Sequence, residues 1–404
     1  MKIALLHYAA PPVVGGVESV LGYHARLMTD AGHQVSILAG RGAQTDARIP
    51  FISIPLLNSR HPDILAVKSE LDVGQIPENF TDLSGQIGTA LEAALDGVDA
   101  LIAHNVCSLH KNLPLTATLH TLYRQPGAPR LILWHHDLAW AASRNHAGLH
   151  DGYPWDLLRQ DWPGATQVVV SELRCQELAR LLGVPCERIR VIPNGVDLAQ
   201  FYKLEPQTLA FAGRLGLGTA WPLLLLPVRI TLRKNIELAL RVLAELRKHF
   251  PEAALVITGP LGPHNPANSE YFARLITLRS ALELDGAAHF LAEITDEYLS
   301  EAVIADFYHL ADALFMPSRE EGFGIPILEA GLAGLPVFCT DIPPLRKLGG
   351  DFATYFTPDA DPGEVASLIT ARLSGDPVFG LRVQVRHRFT WERIYTEMIA
   401  PLLD

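Results

Sequence analysis

The chain has 404 residues, too many for one hydrophobic core, and its 49% hydrophobic content is enough to fill two. A formal net charge of −11 sets aside a general nucleic-acid binder, which shows a basic stripe, but leaves room for a phosphate pocket that needs only a few cations. Cys107, Cys175, Cys186 and Cys339 are scattered and form no C-x-x-C pair. That spacing argues against a disulfide framework or zinc site and points to a reducing, cytoplasmic setting.

From the amino terminus, Met1–His7 runs directly into a strand-like segment without the apolar stretch and cleavage site of a signal peptide. The predicted strands then follow at Lys2–His7, Gln34–Ala39, Val98–Ala103, Arg130–Trp134, Thr166–Val170 and Ile189–Ile192. A second series covers Leu223–Val228, Ala254–Thr258, Ala287–Leu291, Asp312–Met316 and Pro336–Cys339. Pro222–Val228 is the most apolar run, but it is far too short to span a bilayer and reads as a buried strand. Runs apolar on both faces, separated by helical stretches, predict parallel sheets covered by helices on each side, in two Rossmann-like halves. Ser59–Gln86 is the least regular segment and is expected to form loops with short helices. Glycines within Phe211–Gly218 place the break near Phe201–Trp221. The expected domains are therefore 1–205, joined by a closing helix of about 388–404, and 206–387. Ligands of open α/β sheets bind beyond the carboxyl ends of the strands, so the strand-to-helix loops are where chemistry is expected.

Those loops carry the informative residues. The first, Pro11–Glu18, is not a G-x-G-x-x-G fingerprint. Gly15 and Gly16 either let the backbone approach a ligand or simply open a helix, with Glu18 complementing its dipole. His135-His136-Asp137 closes the strand Arg130–Trp134, and a His beside an Asp suits polarising or binding a hydroxyl. Val191–Asp197 reads as a tight turn. After Val228, Arg229-Ile230-Thr231-Leu232-Arg233-Lys234-Asn235 offers an Arg fork and a Lys point charge for a departing diphosphate; the alternative is a solvated basic turn capped by Asn235. In Pro317–Ile325, Gly322 and Gly324 permit close backbone approach. The helix Pro326–Ala333 presents free N–H groups suited to phosphate or sugar oxygens. Glu321 and Glu329 flank that anion site, and a carboxylate grips a diol by accepting two hydroxyls.

The string Glu321-Gly-Phe-Gly-Ile-Pro-Ile-Leu-Glu329 resembles the E-x7-E signature of the retaining glycosyltransferases of family 4, which have the GT-B fold. The resemblance implies that Glu329 binds the nucleotide ribose and that Glu321, with the backbone at Phe323, Gly324 and Ile325, contacts the donor sugar. Arg229 and Lys234 match the R-x4-K-N motif that holds the diphosphate, although Leu-Pro-Val precedes it where Val-Gly often stands. Gly15-Gly16-Val17-Glu18 matches the G-G-x-E loop that approaches the donor phosphates or the acceptor. His136 matches the histidine that contacts the transferred sugar, with His135 structural, and Val191–Asp197 is similar to the P-N-G-V-D turn.

The whole then reads as an α/β, GT-B enzyme with two Rossmann-like parallel-sheet domains facing across a cleft. It would be a hexosyltransferase moving sugar from a UDP-, GDP- or ADP-linked donor to a small-molecule, lipid-linked or glycan hydroxyl. The expected catalytic residues are Glu321, His136, Arg229 and Lys234. The alternatives are a GT-B nucleotide-sugar epimerase or hydrolase, and a non-catalytic nucleotide-sugar-binding relative. Asp359-Ala360-Asp361, a manganese-type D-x-D string, reads as a turn and helix start. No metal, cofactor or nucleic acid is expected. Any membrane contact would be peripheral, through Arg382, Arg386, Arg388 and Arg393, which otherwise read as a solvated helix face.

Overall fold

Strand formation follows the all-apolar runs closely. The first series gives β1 (Lys2–His7), β2 (Gln34–Ala39), β3 (Phe51–Ser53), β4 (Ala100–His104), β5 (Arg130–His135), β6 (Thr166–Val169) and β7 (Ile189–Val191). The second gives β8 (Leu223–Leu226), β9 (Ala254–Ile257), β10 (Ala288–Phe290), β11 (Ala313–Met316), β12 (Val337–Thr340) and β13 (Thr354–Phe356). The computed structural model describes residues 1–141, 147–261 and 266–404, and it divides into two units, Met1–Gly195 with Trp391–Asp404, and Val196–Thr390.

In the first unit the strands pair in the order β3-β2-β1-β4-β5-β6-β7, and in the second β10-β9-β8-β11-β12-β13; all the pairings are parallel. Both are therefore doubly wound. The chain reverses direction of winding between β1 and β4 in one unit and between β8 and β11 in the other, which is where such sheets hold ligands. β3 and β13 were not anticipated: each is a three-residue, partly exposed edge strand, too short to show a period.

Helices cover both sheet faces. In the first unit one face packs on Phe80–Ala94 and Leu113–Leu122, and the other on Gly16–Asp30 and the closing segment from Trp391. Ser59–Gln86 is more regular than expected: it holds a helix at Pro62–Leu71, with Ile64, Val67 and Leu71 buried at helical spacing, and the start of Phe80–Ala94. In the second unit the helix Ile236–Leu246 buries Ile236, Leu238, Ala239, Leu240, Val242, Leu243 and Leu246, and each large apolar side chain sealed this way contributes about 1.5–3 kcal/mol.

The division of the chain falls at Gly195/Val196 and Thr390/Trp391, not at 205 and 388. The reason is local. Glu205 N–H and Thr208 Oγ1 both donate to the buried carboxylate of Asp306, at 2.8 and 2.6 Å, which ties this stretch to the second unit. The glycines read as a break belong to the end of the helix Pro206–Arg214 and the turn after it.

The basic patch is also different from its expected form. Arg386 is buried: its guanidinium donates to Leu310 O, Ala220 O and Asp312 Oδ2, the last at 2.7 Å. Arg382 donates to the carbonyls of His309 and Ala311. These two arginines satisfy carbonyls at the end of the helix Glu301–Leu310 that would otherwise lack partners, so they are not a solvated face. No helix among the described residues is long and apolar enough to cross a membrane. Asp312 is fully buried and also accepts from Leu223 N–H, so replacing Arg386 by Met strands a charge. The substitution should cost about 3–5 kcal/mol, read as a lowered denaturant midpoint for the second unit; an unchanged midpoint would contradict the assignment.

Candidate functional site

The residues singled out in the second unit gather at its switch point. Arg229 follows β8, and the loop bearing Glu321 follows β11, the neighbouring strand. Asn235 binds the two loops together: it sits in the left-handed region (φ 51°), and its Nδ2 donates to Pro317 O and Pro358 O, both at 3.0 Å. Arg319 N–H adds a bond to Arg233 O at 2.8 Å.

This brace brings Lys234 to Glu321. Lys234 Nζ lies 2.5 Å from Glu321 Oε1, and Ser318 Oγ donates to the same oxygen at 2.8 Å. The side chains are 9% and 8% exposed, so neither charge is left to bulk water, and each needs the other. Arg229 is exposed, as is Arg233. Among the described residues, both bonds to Glu321 fall on Oε1, which leaves Oε2 for a ligand.

Beyond β11 the helix Ile325–Leu332 starts at Gly324, with no side chain capping it. Gly324 has φ 101°, and a Cβ there would stand 2.6 Å from Leu345 Cδ2, so only glycine fits. Pro326 occupies the first turn, where its missing N–H costs nothing. Phe323 and Ile325 are exposed and Gly324 buried. Glu329 lies one turn in and accepts from Tyr308 OH at 2.5 Å. Burial first, and then the carboxylate itself, push the Tyr308 phenol well above its usual range, so it stays the donor.

A cavity of about 580 Å³ opens here, lined by Arg229, Ile325, Pro326 and Glu329 on one side and by Thr258–Leu261, Leu291 and Thr295–Leu299 on the other. It is of ligand size, mostly apolar, with a few polar groups converging on it. Gly259 shapes its wall: a Cβ at that position would sit 1.9 Å from Val228 O. Gly259, Tyr298 and Tyr308 escaped the sequence reading. The Gly-Pro step after β9 was the one signal available for the first, and tyrosines in helices and loops carry none.

In the first unit Gly15 and Gly16 follow β1 and open the helix Gly16–Asp30. The Glu18 carboxylate folds back over Gly15, where a Cβ would meet Oε2 at 2.1 Å. His136 sits just past β5, half-buried, with its Nε2 3.2 Å from His104 Nδ1. Asp137 pairs with Arg174 at 3.6 Å. His135 is buried and bonds Gln167 Oε1 through Nε2 at 2.8 Å. Asp359 pairs with Arg319, and Asp361 caps the helix Pro362–Ser374, which accounts for the D-x-D string. Among the described residues no group of His, Cys, Asp and Glu is placed to hold a metal.

A cluster of buried imidazoles underlies His136. His7 Nδ1 donates to the His104 carbonyl at 2.7 Å, and His24 packs edge-on to Trp134 and Trp391. Burial is the main cause that lowers His7, His135 and His136 to about 4 and His24 to about 3. An unfolded histidine titrates near 6.5, so between that value and about 4 the unfolded chain binds more protons. The stabilisation is thus complete above pH 6.5 and is lost as pH falls towards 4. Below pH 6.5 the stability of the first unit should fall by up to about 1.4 kcal/mol per pH unit for each such histidine, so that it is lower at pH 5 than at pH 7. Denaturant titrations at the two pH values check it, and a flat profile would contradict a neutral buried cluster.

Comparison with known proteins covers both units. The model described as Glycosyltransferase Family 4 matches residues 14–200, and that described as Glycosyl transferases group 1 matches residues 215–389. The chain is 24% identical over 373 residues to mannosylglucosylglycerate synthase of Petrotoga mobilis, covering 86% of this chain and 84% of that protein. It is 30% identical over 258 residues to D-inositol 3-phosphate glycosyltransferase of Xylanimonas cellulosilytica, covering 59% of this chain but only 56% of that protein. Among solved structures, sucrose-phosphate synthase from Thermosynechococcus elongatus aligns with a TM-score of 0.40 at 18% identity, over 100% of this chain and 98% of that one. With one family model on each doubly wound unit, the chain belongs to the group 1, family 4 glycosyltransferases.

Proposed function

We propose that the enzyme transfers a hexosyl group from a nucleoside-diphosphate sugar to an acceptor hydroxyl, with retention at the anomeric carbon. The observation that carries this reading is the cavity at the second unit's switch point, where Arg229 and Glu329 share a wall, with Lys234 and Glu321 paired in the same two strand-to-helix loops. Arg229 and Lys234 neutralise the diphosphate and stabilise the charge it gains as it leaves. Glu329, oriented by Tyr308, accepts the ribose hydroxyls. The open helix start at Gly324 and Ile325, together with Phe323, faces the sugar, and Glu321 accepts a sugar hydroxyl through Oε2. In the first unit, Gly15, Gly16 and His136 are read as ligand-binding residues.

In the reaction the bond from the anomeric carbon to the diphosphate oxygen breaks through an oxocarbenium-like transition state. The acceptor oxygen forms its bond on the same face, and its proton passes to the departing phosphate. Products are the glycoside and the nucleoside diphosphate. Glu321 is a poor nucleophile in this scheme, since its Oε1 already holds Lys234 and Ser318. The two cations supply the charge that a metal supplies elsewhere, so turnover is expected to persist in EDTA. All four cysteines are free, in keeping with a reducing, cytoplasmic setting.

Thermal shift against UDP-, GDP- and ADP-sugars identifies the donor, since a bound ligand raises the melting temperature. With that donor, Lys234→Ala should lower kcat/KM by about 10²–10³-fold, as loss of one transition-state contact does. Proton NMR of the first product should show the donor's anomeric configuration. An inverted product, a glycosyl-enzyme adduct in the mass spectrum, or donor consumed equally without acceptor would each overturn the proposal.

A further inference from the structure

The carboxyl end of β4 supplies two residues that the scheme above leaves unused, His104 and Asn105, and both hold His136. Asn105 adopts a left-handed conformation (φ 59°), which asparagine tolerates better than most residues. Its Oδ1 accepts the amides of His136 at 2.7 Å and Asp137 at 3.1 Å, while its own N–H donates to Trp134 O at 2.8 Å. The backbone of His136 is thereby pinned. The ring is held by His104, with Nδ1 3.2 Å from His136 Nε2 and the ring planes 28° apart.

Two imidazole nitrogens at that distance bond only when one carries the proton and the other a lone pair. If His136 were the donor, His104 would carry its proton on Nε2. That atom is fully buried and has no hydrogen-bond partner. Its surroundings are the rings of His24 and Trp134. The groups around it are unpartnered too: the indole N–H groups of Trp134 and Trp391, which only donate, and both nitrogens of His24, one a donor and one an acceptor in the neutral ring. No acceptor, the His24 lone pair included, lies within hydrogen-bond distance of His104 Nε2, so a proton there would be sealed with nothing to accept it. A bare lone pair at the same point costs less, because buried orphan donors are the rarer defect. Burial keeps His104 well below its ordinary value and His136 at about 4, so at neutral pH each ring holds a single proton.

We infer that His104 is a positioning residue that fixes His136 in the tautomer protonated at Nδ1, so that the ring nitrogen His136 offers to a ligand is a hydrogen-bond donor and not a base. The last clause rests on the transferase reading; the tautomer does not. Proton abstraction from the acceptor is then left to the departing phosphate.

Long-range proton–nitrogen NMR of histidine-labelled full-length enzyme at pH 7.5, without ligand, reads the tautomer directly. The expected result is a protonated Nδ1 and a bare Nε2 on His136; the reverse overturns the inference even if every variant fails to fold. His104→Asn places an amide donor near the position of Nδ1. It should keep the His136 tautomer and hold kcat/KM within about threefold of wild type. His104→Phe should release His136 into mixed tautomers and lower kcat/KM about tenfold or more. An unchanged His136 tautomer in His104→Phe would overturn the assignment of His104. If the tautomer is as expected but no donor is turned over by the wild type, the transferase reading fails and the positioning of His136 stands.

Discussion

The contact between Lys234 and Glu321 sets the terms for the rest of the second unit. Two opposite charges, each with less than a tenth of its side chain exposed, sit at 2.5 Å where two strand-to-helix loops meet. Neither could occupy that position alone without the cost of an unpaired buried charge. Asn235, the residue after the lysine, locks the backbone of the pair by donating to Pro317 and Pro358. Ser318 supports the carboxylate from within its own loop. The ammonium is therefore held in place by the fold itself.

The two units use the same winding for different ends. Each places its candidate residues at the carboxyl ends of strands at or beside the reversal between its first and fourth strands. The second unit fills that position with charge: Arg229, Lys234, Glu321 and Glu329. The first fills it with glycine and with imidazoles kept neutral by burial: Gly15, Gly16, His7, His104 and His136. A charged site suits a diphosphate, and a neutral donor suits sugar hydroxyls.

Much of this was legible in the amino-acid order. Strands buried on both faces show as unbroken apolar runs, so eleven of the strands were found with ends within two residues of those observed. Phe51–Ser53 and Thr354–Phe356, each a partly exposed strand of three residues at a sheet edge, were missed. The Glu321–Glu329 stretch stood out because glycine, proline and carboxylate each mark a distinct local constraint. What stayed hidden depends on contacts distant in sequence. Arg386 looked like a surface cation because nothing near it in the chain announces Asp312, and Tyr308 gave no sign of reaching Glu329. His104 lies just past the predicted strand Val98–Ala103 and has no partner near it in the chain. Its bond to His136 spans two neighbouring strands.

The most direct test of the account is calorimetric binding of a nucleoside diphosphate and of inorganic pyrophosphate, compared across folded wild type, Lys234→Met and Glu329→Ala. One pocket made of the charged residues predicts that Lys234→Met weakens both ligands at least tenfold, about 1.4 kcal/mol each, by loss of a phosphate contact. Glu329→Ala should weaken the nucleoside diphosphate and leave pyrophosphate, which has no ribose, unchanged. Equal binding of both ligands to all three proteins would contradict the account.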